Sequence, residues 1–301
     1  MTRLRRLLTL HRHAWCRWIA WPLIFLGCAS AALAQAQPPN AKLVQVELGR
    51  MEGVFAPTPT FMRSIVLRSS ERAPNGTALL WFRGWPGLAQ IKDASDWKER
   101  GNLNFFLKSL DVLLQEGITF VLMDCPSDQW GVAQGHPQRC NDSYRESPLH
   151  AEDVRQMMSL LKAQENIQRF VIMGHSYGSI SSRWLAMRLD REIEGSIHSA
   201  SMTGPVRVPM ERYGASVPRM DMSKLTSPYL FLHHENDACA TTSYATIRSM
   251  FADHLISLRG GSPFGDVCGG KHYHSYGGIE VEAAQAVLDW MKQRTQALTP
   301  R

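Results

Sequence analysis

Several absences narrow the field before any motif is read. The chain has no Gly-x-x-x-x-Gly-Lys-Ser/Thr loop, no dinucleotide-binding glycine fingerprint and no His-Glu-x-x-His. Nucleotide-phosphate cradling, nicotinamide chemistry and helix-borne zinc hydrolysis therefore have no motif to rest on. No Cys-x-x-Cys or comparable spacing occurs among the six cysteines, which argues against a structural zinc site. There is no internal repeat and no linker that would split the body. No uninterrupted apolar run reaches the roughly 20 residues that a helix needs to cross a bilayer. Acidic residues are missing from the first 34 positions, which hold Arg3, Arg5, Arg6, Arg12 and Arg17. The formal charge of +6 and the pI near 9.1 thus belong mostly to the N-terminus, and the remainder carries 28 basic against 27 acidic groups. The basic residues of the body are scattered without an aromatic-interleaved patch, so no nucleic-acid partner is expected.

The N-terminus reads as an address. Its basic stretch leads through Arg17 into the apolar run from Ile19 to Leu26, interrupted by Pro22, and then into Ala32-Leu33-Ala34, a small-x-small pattern of the kind signal peptidase cuts. Residues 1–34 are expected to be a signal peptide and 35–301 the working domain, exported to the periplasm or secreted, with no stable membrane span in the mature chain. Lipoprotein anchoring at Cys28 is the alternative, weakened by Phe25 three residues before it. Arg5-Arg6 lacks the rest of a twin-arginine pattern. Removing this segment leaves Cys125, Cys140, Cys239 and Cys268, an even number suited to an oxidising compartment.

The body of about 260 residues has 44% hydrophobic and 20% charged residues over the whole chain, an ordinary globular composition able to build one large core. Apolar runs of strand length recur at 43–48, 64–67, 78–82, 118–123, 170–173, 193–196, 229–232 and 255–258. Helical patterns occupy 103–115, 151–164, 176–189, 244–253 and 280–294. The first two or three strands have no helix between them and are expected to be antiparallel. The later ones alternate with helices and are expected to be parallel. Chemistry in such a sheet gathers at the carboxyl ends of the strands.

The run Phe170-Val171-Ile172-Met173 enters Gly174-His175-Ser176-Tyr177-Gly178 and then an amphipathic helical stretch. This is the strand-turn-helix setting of a nucleophile elbow, in which a strained turn lifts a serine hydroxyl above the sheet and flanking glycines avoid collision with nearby backbone. On this motif the sequence resembles the α/β-hydrolase superfamily from about residue 60 to 294, and small secreted hydrolases of that fold in particular. The resemblance implies a mostly parallel central sheet with helices on both faces, and a nucleophile, acid and histidine in that chain order.

Asp237 follows the strand ending His233-His234 and occupies the place where the superfamily carries its acid. Cys268 to Gly278 supplies two candidate bases, His272 and His274. His274-Ser275-Tyr276 resembles the superfamily's His followed by a small residue and an aromatic, so His274 is the choice and His272 the alternative. His175 sits on the wrong side of the elbow to act as base, and His233 and His234 precede the acid, the wrong order. Cys239 lies two residues beyond Asp237 and Cys268 six before His274, so a bridge between them would tie the acid loop to the base loop, leaving Cys125 to Cys140. For the oxyanion hole, Arg83-Gly84-Trp85-Pro86-Gly87 resembles the superfamily's His-Gly loop with Arg83 and Trp85 as departures. Trp85 and Tyr177 are the expected amide donors.

Residues 126–148 are long and aperiodic enough to be a functional rim. Trp130, His136, Arg139, Tyr144 and Arg145 within it read individually as solvated surface. The stretch of some 30 residues before the strand at Tyr229 is too short for a large lid, so the cap should be minimal. The whole reads as an exported serine hydrolase acting on small-molecule or polymer-borne carboxylic esters through Ser176, His274 and Asp237, with no metal or organic cofactor. A serine peptidase or amidase is the alternative within the same chemistry. A non-catalytic binding protein on a hydrolase scaffold is the alternative outside it.

Overall fold

The structure, a computed structural model, describes residues 39–100, 104–130, 132–133, 136–137, 140–204, 206–208 and 211–297. The expected signal peptide, with Cys16 and Cys28, lies outside the described residues, as does Arg139. Eight strands form one sheet: β1 (Asn40–Glu52), β2 (Thr58–Arg68), β3 (Thr77–Phe82), β4 (Thr119–Met123), β5 (Arg169–His175), β6 (Gly195–Ser199), β7 (Tyr229–His234) and β8 (Leu255–Leu258). Their spatial order is β1-β2-β4-β3-β5-β6-β7-β8. Strands β1 and β2 are antiparallel, β2 runs antiparallel to β4, and every later pairing is parallel. The antiparallel start therefore comprises two strands, and β3 already belongs to the parallel body.

Strand alternation sorts the core into two layers. Leu79, Trp81, Phe120, Leu122, Val171 and Met173 point to one face, where they meet helices α1 (Asn104–Leu114) and α5 (Glu280–Ala297). Ala78, Leu80, Val121, Phe170 and Ile172 point to the other, against α2 (Pro148–Glu165) and α3 (Gly178–Arg188). Helix α2 begins three residues earlier than its apolar period suggests. Ser147 caps it by accepting from the His150 amide, Pro148 fills the first turn, and Asn166 closes it in a left-handed conformation. A further helix, α4 (Tyr244–Phe251), is capped by Ser243.

Three expectations need correction. The strand expected at 193–196 is Gly195–Ser199, because its buried side chains are polar. His198 lies between Ser182 Oγ at 2.8 Å and Ser196 Oγ at 3.1 Å, and hydropathy gives no sign of such a strand. The helix expected from Ser176 starts at Gly178, since Ser176 has φ +55° and cannot lie within a right-handed helix. Tyr144 and Arg145 are buried rather than solvated. They sit on a one-turn helix, Asp142–Arg145. The Tyr144 hydroxyl donates to Asp153 at 2.8 Å, and the Arg145 guanidinium donates to the carbonyls of Cys140 and Gly87 and to Ser181 Oγ, with its face on the Tyr177 ring. These hydrogen bonds, one from each guanidinium nitrogen and one from the phenol, are what make their burial tolerable.

Two disulfides join Cys125 to Cys140 and Cys239 to Cys268. No helix among the described residues is long and apolar enough to cross a membrane. Between β6 and β7 the described residues include a small antiparallel pair, Val206–Val208 with Glu211–Tyr213, and one short 3-10 turn.

Three buried histidines couple stability to pH. Burial pushes His150 down to about 3 and takes His175 and His198 well below the usual imidazole range. His274 adds to the effect on His175, and Arg183 to that on His198. The unfolded chain binds these protons near pH ~6.5, whereas the folded chain refuses them until much lower pH. Stability is therefore full above about pH 6.5 and declines as pH falls below it, by at most about 1.4 kcal/mol per pH unit for each histidine. Urea unfolding measured from pH 7.5 to 5 should show this decline, and a flat profile would contradict the burial of neutral histidines.

Candidate active site

Strand β5 delivers the chain to Ser176 at the carboxyl edge of the sheet. Ser176 adopts φ +55°, and its amide donates to the Ser199 carbonyl at the end of β6 at 2.9 Å. The two flanking glycines are required by contact. A Cβ on Gly174 would lie 2.2 Å from the Gly178 carbonyl oxygen, and one on Gly178 would lie 2.1 Å from the Phe82 carbonyl oxygen at the end of β3. The sharp turn and the close approach of α3 to β3 are thus one packing solution.

A chain of hydrogen bonds runs from Ser176. Its Oγ lies 2.9 Å from His274 Nε2, and His274 Nδ1 lies 3.0 Å from Asp237 Oδ2. Because a carboxylate only accepts, His274 Nδ1 carries the hydrogen and Nε2 is left to accept from the serine hydroxyl. The structure therefore brings together Ser176, Asp237 and His274, residues separated by up to 98 positions. His274, not His272, occupies the link. His272 precedes the 3-10 turn Tyr273–Ser275 that presents His274, and its carbonyl accepts the Ser275 amide at 2.9 Å. Glu235, two residues before Asp237, pairs with Arg259.

The Asp237 side chain is fully buried. Burial alone would raise its carboxyl, but hydrogen bonds from His233, His274 and the Cys239 amide hold it well below the usual carboxylate range. It remains an anion at any pH near neutrality. Two of its partners are not apparent from the sequence. His233 Nε2 lies 3.0 Å from Oδ2, and Thr242 Oγ1 donates to the same oxygen at 2.8 Å. The four-residue spacing of His233 and Asp237 across a strand end was the available signal. Thr242 carried none.

His175 anchors the base loop from below. The Tyr276 hydroxyl donates to the Leu232 carbonyl at 2.7 Å, so it accepts from Ser199 Oγ at 2.8 Å. Ser199 Oγ in turn accepts from His175 Nδ1 at 2.9 Å, which leaves His175 Nε2 to accept from Ser275 Oγ at 3.1 Å. With His175 kept neutral by burial, every hydrogen in this buried chain has a consistent position. The residue before Ser176 is thereby joined to the residue after His274.

The loop after β3 covers the elbow. A Cβ on Gly84 would stand 3.2 Å from Ser176 Cβ, so the backbone there passes over the serine. Asp124 holds the loop's far end, accepting from the amides of Ala89 and Ile91 at 2.8 and 2.7 Å. Trp85 remains 52% exposed, with its ring edge-on to Tyr177 at 5.7 Å. Trp85 follows Gly84 in this loop, and Tyr177 follows Ser176 at the start of α3. Among the described residues, no group of His, Cys, Asp and Glu is placed to hold a metal ion.

No protein-family model matches the sequence, and no curated protein does. Solved structures do match in fold. Est1E from Butyrivibrio proteoclasticus aligns with a TM-score of 0.55 at 10% identity, over 85% of this chain and 99% of its own. The same protein bound to ferulic acid gives 0.56 at 11%, over 84% and 99%. A dienelactone hydrolase-like promiscuous phosphotriesterase from metagenomic libraries gives 0.53 at 13%, over 85% and 99%. The chain has the α/β-hydrolase fold. Along the sequence Ser176 follows β5, Asp237 follows β7 and His274 follows β8, whereas the hydrogen-bonded chain runs Ser176–His274–Asp237.

The Cys239–Cys268 bridge closes a loop of sequence separation 29 between the Asp237 turn and the His274 loop. Constraining the unfolded chain by a loop of this length is worth about 3–4 kcal/mol. Replacing both cysteines by serine should lower the urea unfolding free energy by that order. An unchanged midpoint would show that the bridge contributes nothing to these loops.

Proposed function

We propose that this chain is an exported serine hydrolase that cleaves carboxylic esters through an acyl-enzyme. The observation that carries the reading is the unbroken chain from Ser176 Oγ through His274 to Asp237, at 2.9 and 3.0 Å, on a serine held in a left-handed turn. Ser176 Oγ attacks the ester carbonyl carbon while its proton passes to His274 Nε2. The tetrahedral oxyanion accepts from the Trp85 and Tyr177 amides, the latter at the positive end of α3. When the carbon–oxygen bond to the alcohol breaks, His274 returns the proton to the departing oxygen. Water then attacks the acyl carbon with His274 again as base, releasing the acid and restoring Ser176. Asp237 stays ionised throughout, orienting the ring and stabilising the imidazolium.

Preference for esters over amides draws support from the small segment between β6 and β7 and from a fold relative described as a cold-adapted esterase. Export draws support from the basic, apolar and small-residue order of 1–34 and from the two disulfides.

A fluorophosphonate probe should label Ser176 in the wild type and leave Ser176→Ala unlabelled. Asp237→Asn should lower kcat on the order of 10⁴-fold through the wrong tautomer of His274. Nitrophenyl esters of increasing chain length should be cleaved and peptide anilides should not. Cleavage of anilides at comparable rates would favour an amidase, and absence of labelling in oxidised, folded protein would favour a binding protein.

A further inference from the structure

We propose that His233 is a positioning residue for the Ser176–His274–Asp237 relay, pinning the Asp237 carboxylate to the rigid end of β7 as a neutral hydrogen-bond donor; this rests on the triad reading above. Three donors converge on one oxygen. Asp237 Oδ2 lies 3.0 Å from His233 Nε2, 3.0 Å from His274 Nδ1 and 2.8 Å from Thr242 Oγ1, while Oδ1 accepts the Cys239 amide at 2.9 Å. Thr242 and Cys239 belong to the loop beyond Asp237, whereas His233 is the penultimate residue of β7, paired in register with Ser257 of β8. Among these donors to Asp237, it alone comes from the sheet.

The hydrogen inventory assigns the state of the ring. His233 Nε2 also lies 3.0 Å from the Thr242 carbonyl oxygen. Both neighbours of Nε2 accept, so Nε2 carries a hydrogen and shares it between carboxylate and carbonyl. That single donor fixes Asp237 relative to Thr242, whose hydroxyl lies 3.1 Å from His274 Nδ1 and completes a small closed network. The opposite nitrogen, Nδ1, is buried with no hydrogen-bond partner. A proton there would be a buried N–H with no acceptor, which is costly, so the ring is kept neutral.

Neutrality matters for the chemistry. A cationic side chain at this position would cancel the negative charge that Asp237 offers to the His274 imidazolium. An aliphatic one would leave the carboxylate free to rotate away from His274. A neutral donor anchored on the sheet avoids both outcomes, and the cost of the unpartnered Nδ1 is the cost of that arrangement. His233 bonds to Asp237 and Thr242 and acts on Ser176 only through them, so its effect should fall on turnover rather than on substrate binding.

The test compares His233→Gln, His233→Asn and His233→Leu with the wild type on a soluble nitrophenyl ester, together with labelling rates by a fluorophosphonate. Glutamine carries an amide nitrogen at the same reach as Nε2. Asparagine is one carbon shorter, and leucine has no donor. His233→Leu and His233→Asn should lower kcat on the order of 10²-fold, the effect of a misplaced catalytic group, with KM changed less than about threefold. His233→Gln should recover most of that loss. Thermal unfolding checks that each variant is folded, and if His233→Leu fails to fold, the Gln and Asn pair decides. Equal kcat in wild type and folded His233→Asn, or equal losses in folded Gln and Asn variants, would overturn the inference. Wild-type protein that is neither labelled at Ser176 nor active would instead overturn the triad reading.

Discussion

The left-handed backbone at Ser176 is the constraint on which the rest of the site depends. A non-glycine residue in that region is unfavourable by about 1–3 kcal/mol and persists only where its surroundings leave no alternative. Here the surroundings do so from three sides. The Ser176 amide is fixed to the end of β6, α3 begins two residues later with Gly178 against the end of β3, and the Gly84 backbone lies over the serine. The position of the hydroxyl and the position of the covering loop are set by the same contacts. A change that relaxed one would release the other.

Beneath the elbow lies a layer of buried polar side chains, unusual for the centre of a sheet. His175, Ser199, Ser275 and Tyr276 form one connected set, and Ser182, Ser196 and His198 another. Each would be destabilising without partners, and each is offset by a specific hydrogen bond. The first set links the loop bearing His274 to the strand bearing Ser176. It does so through side chains whose hydrogens find a consistent arrangement around a neutral His175. Directional bonds hold a loop against the sheet more narrowly than apolar contact does, which suits a histidine that must span two partners at about 3 Å.

Much of this was legible in the sequence because apolar periodicity and turn chemistry are local. The buried parallel strands read as apolar runs, and the glycines around Ser176 marked the turn by their spacing. The order of serine, aspartate and histidine followed from the resemblance to α/β hydrolases. What escaped is what depends on distant partners. β6 was displaced because its buried residues are serines and a histidine. Arg145 read as surface because nothing local foretells two carbonyls and a serine hydroxyl closing around a guanidinium. His233 was set aside by chain order, a rule for finding a base that says nothing about what supports an acid. Thr242 is an ordinary loop threonine until the fold carries it to Asp237.

The central claim is that Ser176 becomes covalently acylated during turnover, and rapid-quench mass spectrometry tests it most directly. Mixed with nitrophenyl acetate and quenched within the first turnover, the protein should release a burst of nitrophenolate and carry one acetyl group on the peptide containing Ser176. That adduct should decay at the steady-state rate. Hydrolysis without any adduct, or an acetyl group on another residue that turns over at the same rate, would contradict the account.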